Sequence, residues 1–217
     1  MLLSRLQELI GGIYDVRVAY DVYDFLVTDR GRLPHTPHAG RADEELIVAQ
    51  SDDGSEVALS LYLDPALLAR LACSDPLIEL NGGNLADWWT ALEGVSHFLY
   101  LAWNAGHDKP VSLLELEMQA EVDKYVASYW LLRRQYPRHF PAELHPVLFE
   151  RTRIDPRLDG ERRRLYGEAN RYAARFCRRL ERRLTDAVHG ERAVLAELRR
   201  FYRLGNARKR AHIERTA

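Results

Sequence analysis

The chain has 217 residues, of which 47% are hydrophobic and 29% are charged, the balance expected of a soluble globular protein with a sizeable core. It contains no apolar run of the roughly 18 residues that would span a bilayer, and its first residues lack the cationic lead of a signal peptide. Two cysteines far apart in the sequence favour reduced thiols over a disulfide framework. These features predict a cytoplasmic protein without a membrane partner.

Charge is distributed unevenly along the chain, although the net charge is only −1. Residues 1–150 carry a net charge of −12, and residues 151–217 carry +11. This asymmetry predicts that the C-terminal region meets an acidic surface, which is the protein's own N-terminal part, a protein partner or nucleic acid. Only three of the 31 basic residues are lysines, and the arginine bias runs along the whole chain. Arginine content alone is therefore not a recognition signal.

The pattern of elements predicts an α+β fold. Residues 1–80 are expected to form a small antiparallel sheet with short helices, and residues 81–217 a helical bundle of about four helices with basic C-terminal helices. We expect the two regions to form one compact unit. At the N-terminus, apolar residues at helical spacing predict a helix from Leu2 that ends at Gly11-Gly12. Alternating apolar residues from Tyr14 to Val22 then predict a half-buried strand.

Residues 45–63 are predicted to form a β-hairpin, because two alternating apolar segments flank the favoured turn pair Asp53-Gly54. Asp64-Pro65 has the residue types that begin a helix. In the preceding segment, His35 and His38 are candidate metal ligands, but the neighbouring prolines and glycines favour an exposed loop.

From residue 80 onward the apolar pattern has the period of helices. Asn84 and Ser112 are the predicted N-caps of two long helices, and Glu115 completes a capping box with Ser112. The predicted helices cover residues 85–104, 113–135, 165–190 and 191–204, with one short helix within a connector at 137–160 and a charged tail after 204.

The helix from residue 113 carries ionisable side chains between two apolar arcs. Glu117, Glu121 and Lys124 lie in a narrow stripe that is expected to face the interior of the bundle. The opposite arc is expected to face solvent, and it holds Glu115, Gln119, Asp123 and Arg133. Two carboxylates four residues apart repel each other when buried, so the inner stripe requires a cation or a shared proton.

The preceding helix supplies partners for this stripe. Glu93 and His97 are four residues apart, and the short connector between the helices predicts an antiparallel pair. That register places His97 between Glu117 and Glu121, and Glu93 near Lys124. Carboxylates and imidazole on facing helices are typical ligands of iron, manganese or zinc. The sequence thus predicts a pocket for a divalent metal or a small ligand, with Lys124 tuning its charge. The alternative is a structural core in which lysine, histidine and an arginine neutralise the glutamates.

A second hypothesis places function on the outside of the bundle. One stripe of the long helix is basic, and residues 207–210 add further charge. This arginine ridge would serve a non-catalytic module that binds a protein partner or nucleic acid. No aromatic residue interleaves the ridge, which disfavours stacking on bases, and no sequence motif identifies a reaction. The ridge consists of Arg164, Arg171, Arg175, Arg178 and Arg182.

Overall fold

The computed structural model of the protein describes residues 1–33, 42–50, 57–151, 154, 156–185 and 190–215. Within these ranges the chain forms eight α-helices and three strands, with two short 3-10 helices at Val22–Phe25 and Arg30–Arg32. The strands are β1 (Leu26–Val27), β2 (Glu44–Gln50) and β3 (Val57–Leu63). The helices are α1 (Leu2–Tyr14), α2 (Pro65–Cys73), α3 (Leu85–Ala105), α4 (Leu113–Gln135), α5 (Leu144–Phe149), α6 (Gly160–Leu184), α7 (Gly190–Tyr202) and α8 (Asn206–Glu214). The predicted α+β class with a helical bundle is confirmed.

The sheet is mixed rather than wholly antiparallel. Strands β2 and β3 pair antiparallel, with Leu46 opposite Leu61, so the two strands of the predicted hairpin are confirmed. The turn predicted at Asp53-Gly54 and the histidines His35 and His38 lie outside the described residues. The sheet is mixed because β1, a strand of two residues, pairs parallel with the other side of β3.

The end of the first helix and the first strand were predicted wrongly. Helix α1 continues through both glycines to Tyr14, because Ile13 and Tyr14 are buried and their packing outweighs the weak helix propensity of glycine. The residues from 15 to 21 form no strand. The Gln7 side chain donates to the carbonyl of Tyr20 and accepts from the amide of Val22, so these backbone groups bond to α1 instead of a sheet.

Two of the three proposed N-cap residues bond to their helix, but the capping box predicted at Ser112 is incomplete, because the Glu115 carboxylate bonds to Tyr100 and Asn206 instead. Asp64 accepts from the amides of Ala66 and Leu67 at the start of α2, and Ser112 accepts from the amide of Glu115 at the start of α4. Asn84 does precede α3, but its side-chain oxygen accepts from the amide of Asn81 and makes no cap bond to the helix.

The C-terminal boundaries also differ from the prediction. Gly190 begins α7 instead of ending α6, whose last residue is Leu184. The predicted charged tail contains α8, and Lys209 on that helix is fully buried. Local sequence gives no sign of this burial, because it depends on Tyr100 of α3, Gln119 of α4 and Phe201 of α7, which surround the ammonium group.

Helix α4 lies at the centre of the bundle, where it packs against both α3 and α6. Helix α3 also contacts α1 and the sheet, so elements from residues 1–80 and 81–217 share one apolar core. Their division into two regions stays a prediction. Among the described residues, no helix is long and apolar enough to cross a membrane.

Gly94 on α3 allows the sheet to approach this helix closely. A Cβ at that position would lie 2.8 Å from Cδ1 of Leu61 and 2.9 Å from Cγ of Glu44. We expect Gly94→Ala to shift the strands and to lower the free energy of unfolding by about 1–3 kcal/mol, as overpacking does elsewhere. Urea denaturation measures this loss.

Gly12 provides the matched control for this substitution. It is an exposed glycine of α1, and a Cβ there would meet no atom within 4 Å. Gly12→Ala should therefore raise the free energy of unfolding by about 0.4–1 kcal/mol, because it restricts the unfolded chain without disturbing the fold. Equal stability of Gly94→Ala and the wild type would show that this close approach is not needed.

Candidate metal centre

Helices α3 and α4 run antiparallel, as the short connector predicts. Residue numbers rise along α3 as those of the contacting residues fall along α4: Glu93 meets Lys124, His97 meets Glu117, and Tyr100 meets Glu115. The predicted register is therefore the observed one. It places ionisable side chains from both helices in the interior, where each depends on its neighbours for compensation of charge.

Three of these side chains form a group with the spacing of metal ligands. Glu93, His97 and Glu117 each present a ligand atom, and the three atoms lie within 4.8 Å of one another. His97 and Glu117 are buried, and Glu93 is partly exposed. Ligands bound at metal distances of about 2.1 Å are separated from each other by about 3–4 Å. A closure of about 1 Å, within the reach of side-chain rotation, would bring these atoms to coordinating distance.

Glu121 does not join this group. Its Oε1 atom lies 2.9 Å from Nζ of Lys124, whose other partner is Oε2 of Glu93 at 2.7 Å. Lys124 thus stands between the two carboxylates and bonds to both. The Glu121 side chain is 20% exposed, so it lies at the edge of the cluster rather than in its interior.

Strand β2 supplies a further carboxylate that the sequence analysis missed. Oε1 of Glu44 lies 3.5 Å from Nδ1 of His97, while Nε2 on the other side of the ring lies 3.7 Å from Oε2 of Glu117. A signal for Glu44 was present, since the alternation of a strand places it on the same face as Leu46, which packs against the core. The docking of that face on α3 is a tertiary contact, which periodicity does not indicate.

The cluster contains more negative than positive charge. Four carboxylates, those of Glu44, Glu93, Glu117 and Glu121, face the two cationic groups of His97 and Lys124. When all six side chains are charged, two negative charges have no counterpart within this set. Such an excess is costly in a buried site unless protons or a cation neutralise it.

The pKa values reflect this imbalance. Burial alone would lower the pKa of His97, but the carboxylates of Glu117, Glu44 and Glu93 raise it to about 9. Burial raises the pKa of Glu117 to about 7 and also raises that of Glu44. For Glu93, burial acts in the same direction, but the charges of Lys124 and His97 outweigh it and lower the pKa. Without a metal ion, His97 therefore keeps its positive charge, and a proton on Glu117 removes part of the remaining excess of negative charge.

Two atoms of the cluster lack hydrogen bonds. Nε2 of His97 and Oε1 of Glu44 are buried, and neither has a hydrogen-bond partner within the described part of the chain. A buried polar group left in this state costs about 1–3 kcal/mol. Coordination of His97 by a cation would remove part of that cost, so the unpaired nitrogen favours a ligand site.

The opposite arc of α4 was expected to face solvent, and this prediction was wrong for three of its four residues. Glu115, Gln119 and Asp123 are buried, because α1, α7 and α8 cover this side of the helix. The Asp123 carboxylate accepts hydrogen bonds from Tyr14, Ser96 and Gln119.

The same network continues to the C-terminal helices. Glu115 accepts from the hydroxyl of Tyr100 and from the amide of Asn206. The ammonium group of Lys209 donates to Oε1 of Gln119 and lies 4.5 Å from the ring centroid of Tyr100. α4 therefore carries two buried polar networks on different faces.

The arginine ridge lies on the outside of α6, as predicted. Arg164, Arg171, Arg175 and Arg182 are exposed. Arg178 is partly exposed and forms ion pairs with Glu150 and Glu181. Comparisons with models of protein families, with curated proteins and with solved structures each found no match to this chain.

Proposed function

We propose that the protein binds a divalent transition metal through Glu93, His97 and Glu117. The observation that carries this proposal is the convergence of two carboxylates and one imidazole within 4.8 Å around a buried, unpaired nitrogen of His97. Imidazole and carboxylate ligands suit iron, manganese and zinc, and three protein ligands leave coordination positions for water or a substrate.

Glu44 has the position of an orienting residue in this site. Histidines that bind metals commonly donate the hydrogen of the other ring nitrogen to a carboxylate. The ring of His97 has Glu44 beside Nδ1 and Glu117 beside Nε2, so a hydrogen on Nδ1 leaves Nε2 as the ligand atom. Lys124 would hold Glu93 and Glu121 in place and limit the negative charge of the site.

A divalent ion would also balance the charge of the cluster. It would replace the Nε2 proton of the His97 imidazolium and the carboxyl proton of Glu117, because each ligand atom must lose its proton to coordinate. The competing structural interpretation is that Lys124, protonated His97 and a proton on Glu117 neutralise the glutamates without a metal ion. The two interpretations differ in metal content and in the behaviour of single variants.

The test is metal binding by protein purified without a histidine tag. Metal content is measured first, and the chelator-treated protein is then titrated with Mn²⁺, Zn²⁺ and, without oxygen, Fe²⁺. We expect Glu117→Gln to abolish high-affinity binding, because an amide is a poor ligand for these ions. Glu44→Gln should weaken binding by about 10–100-fold, as loss of an outer partner of a ligating histidine does.

Glu121→Gln is the matched control on the same helix. It removes a carboxylate of the same type four residues away, but one outside the ligand group, so metal affinity should change less than about tenfold. Circular dichroism verifies that each variant is folded. Wild-type protein that is free of metal and binds none of the three ions would contradict the proposal, as would equal losses in Glu117→Gln and Glu121→Gln.

A further inference from the structure

A pocket lined mainly by residues of the basic C-terminal region shares no residue with the metal cluster. It has a volume of about 420 Å³ and lies between the end of α5, the outer face of α6 and α8. The basic residues of its wall include Arg175, Arg178 and Arg182, three members of the arginine ridge. Apolar side chains of Phe149 and Ile213 complete the lining. The ridge thus borders a concave site. A cavity favours a small ligand over nucleic acid, because nucleic acid can bind to the exposed basic face of a helix without one.

Two of the ridge arginines are available to a ligand. Arg175 and Arg182 are exposed, and neither makes an ion pair with another described residue. They are seven residues apart on one side of α6, which corresponds to about 10 Å along the helix axis. Arginine presents several N–H donors in a plane and is well suited to bind the oxygen atoms of phosphate or carboxylate groups. The rim of the pocket is therefore positive, because among the described residues no acid pairs with Arg175 or Arg182.

A buried histidine forms part of the floor. His145 is 3% exposed, and its Nε2 lies 3.0 Å from the carbonyl oxygen of Ala174. Because a carbonyl only accepts, Nε2 carries the hydrogen of this bond. Nδ1 is buried and has no hydrogen-bond partner within the described residues. The floor of the pocket therefore offers one unpaired polar atom to a bound ligand.

A carboxylate of the protein itself lies between these groups. Oε1 of Glu150 accepts a hydrogen bond of 2.9 Å from Arg178 and lies 3.8 Å from Nδ1 of His145. The Glu150 side chain is 58% exposed and stands at the end of α5, so it can rotate into solvent. The Glu150 carboxylate therefore lies where the anionic group of a bound ligand would contact Arg178.

We propose that this pocket binds a small phosphate monoester with an apolar body. The phosphate group displaces Glu150 and contacts Arg178 together with Arg175 and Arg182, while the apolar body packs against Phe149 and Ile213. A volume of this size is typical of small-molecule sites, and the mixture of apolar walls with a few charged groups is that of a ligand pocket. The inference is independent of the metal site.

The test is a titration of the whole protein at low salt with phenyl phosphate, inorganic phosphate and phenol, observed by calorimetry. Phenyl phosphate should bind more tightly than inorganic phosphate, and phenol should not bind. Arg175→Ala and Arg182→Ala should each weaken binding by roughly tenfold, because each removes a charge-assisted contact from an exposed side chain. Glu150→Gln should tighten binding several-fold, since the competing carboxylate is lost.

Arg171→Ala is the matched control, because Arg171 belongs to the same ridge but does not line the pocket. It should leave the affinity unchanged. Equal weakening by Arg171→Ala and Arg175→Ala would overturn the proposal, as would absence of binding to both the wild type and Glu150→Gln. A single-stranded oligonucleotide that binds more tightly than phenyl phosphate, and that depends equally on Arg164 and Arg171, would show a nucleic-acid surface instead.

Discussion

Replacement of Lys124 with methionine is expected to lower the free energy of unfolding by about 3–5 kcal/mol in the presence of a chelator, the usual cost of removing one partner from a buried ion pair. Lys124 is 8% exposed and bonds to Glu93 and Glu121. Without its charge, His97 is the only cationic group left among the six side chains of the cluster. Urea denaturation at pH 7 measures the loss.

Divalent metal should restore part of this stability. A ligand present at 100 times its dissociation constant stabilises the folded state by about 2.7 kcal/mol. The gain should be larger in Lys124→Met than in the wild type, because the ammonium group that repels the ion is gone. Lys109→Met is a control, since Lys109 is exposed and its contact with the ring of Trp103 is worth about 1 kcal/mol or less. A loss below about 1 kcal/mol in Lys124→Met would show that other groups neutralise the glutamates.

The positions of Glu93, His97, Glu117 and Lys124 could be predicted because they depend on local rules. Helical periodicity assigns each side chain to a face, and a short connector makes two helices antiparallel neighbours. Those two facts determine which residues of α3 and α4 meet. The contacts of His97 with Glu117 and of Glu93 with Lys124 follow from them.

The buried network on the other face of α4 could not be predicted in this way. Helical periodicity predicts one solvent-facing arc for each helix, which is correct for a helix at the surface of a bundle. Helix α4 is central, so Gln119 and Asp123 are enclosed by elements that are distant in sequence. Lys209 lies 90 residues from its partner Gln119, within a segment whose composition is that of a solvated tail. Neither its charge nor its spacing indicates burial.

The predicted strand from Tyr14 to Val22 failed for a related reason. Alternation of apolar and polar residues predicts that every second side chain is buried, and several of these side chains do contact the core. It does not show what satisfies the backbone between them. In this segment the Gln7 side chain bonds to two backbone groups, which makes a sheet ladder unnecessary. Side-chain bonds of this kind become visible only in three dimensions.

Lys209 should make the stability of the protein depend on alkaline pH. Burial lowers the pKa of this lysine from its ordinary value of 10.5 to about 7, although Glu115 and Asp123 act in the opposite direction. The groups that surround the ammonium are the side chains of Glu115, Gln119 and Asp123 on α4 and the aromatic rings of Tyr100, Phe201 and Tyr202. The folded protein therefore binds the lysine proton less tightly than the unfolded chain does.

The sign of the effect follows from this difference. Between pH 7 and pH 10.5 the unfolded state holds the proton and the folded state has lost it, so stability rises with pH in this window. Below pH 7 the full cost of burying the charge is present, and above pH 10.5 it is absent. The Lys209→Met variant lacks this amino group, while its other titrating groups remain. The free energy of unfolding of the wild type minus that of Lys209→Met should therefore rise by about 1.4 kcal/mol per pH unit across the window. Subtraction removes the opposite trend of His97, whose raised pKa makes stability fall between pH 6.5 and about 9.

Urea denaturation of both proteins at a series of pH values measures the difference in the free energy of unfolding. A difference that does not change with pH would mean that Lys209 titrates alike in the folded and unfolded states.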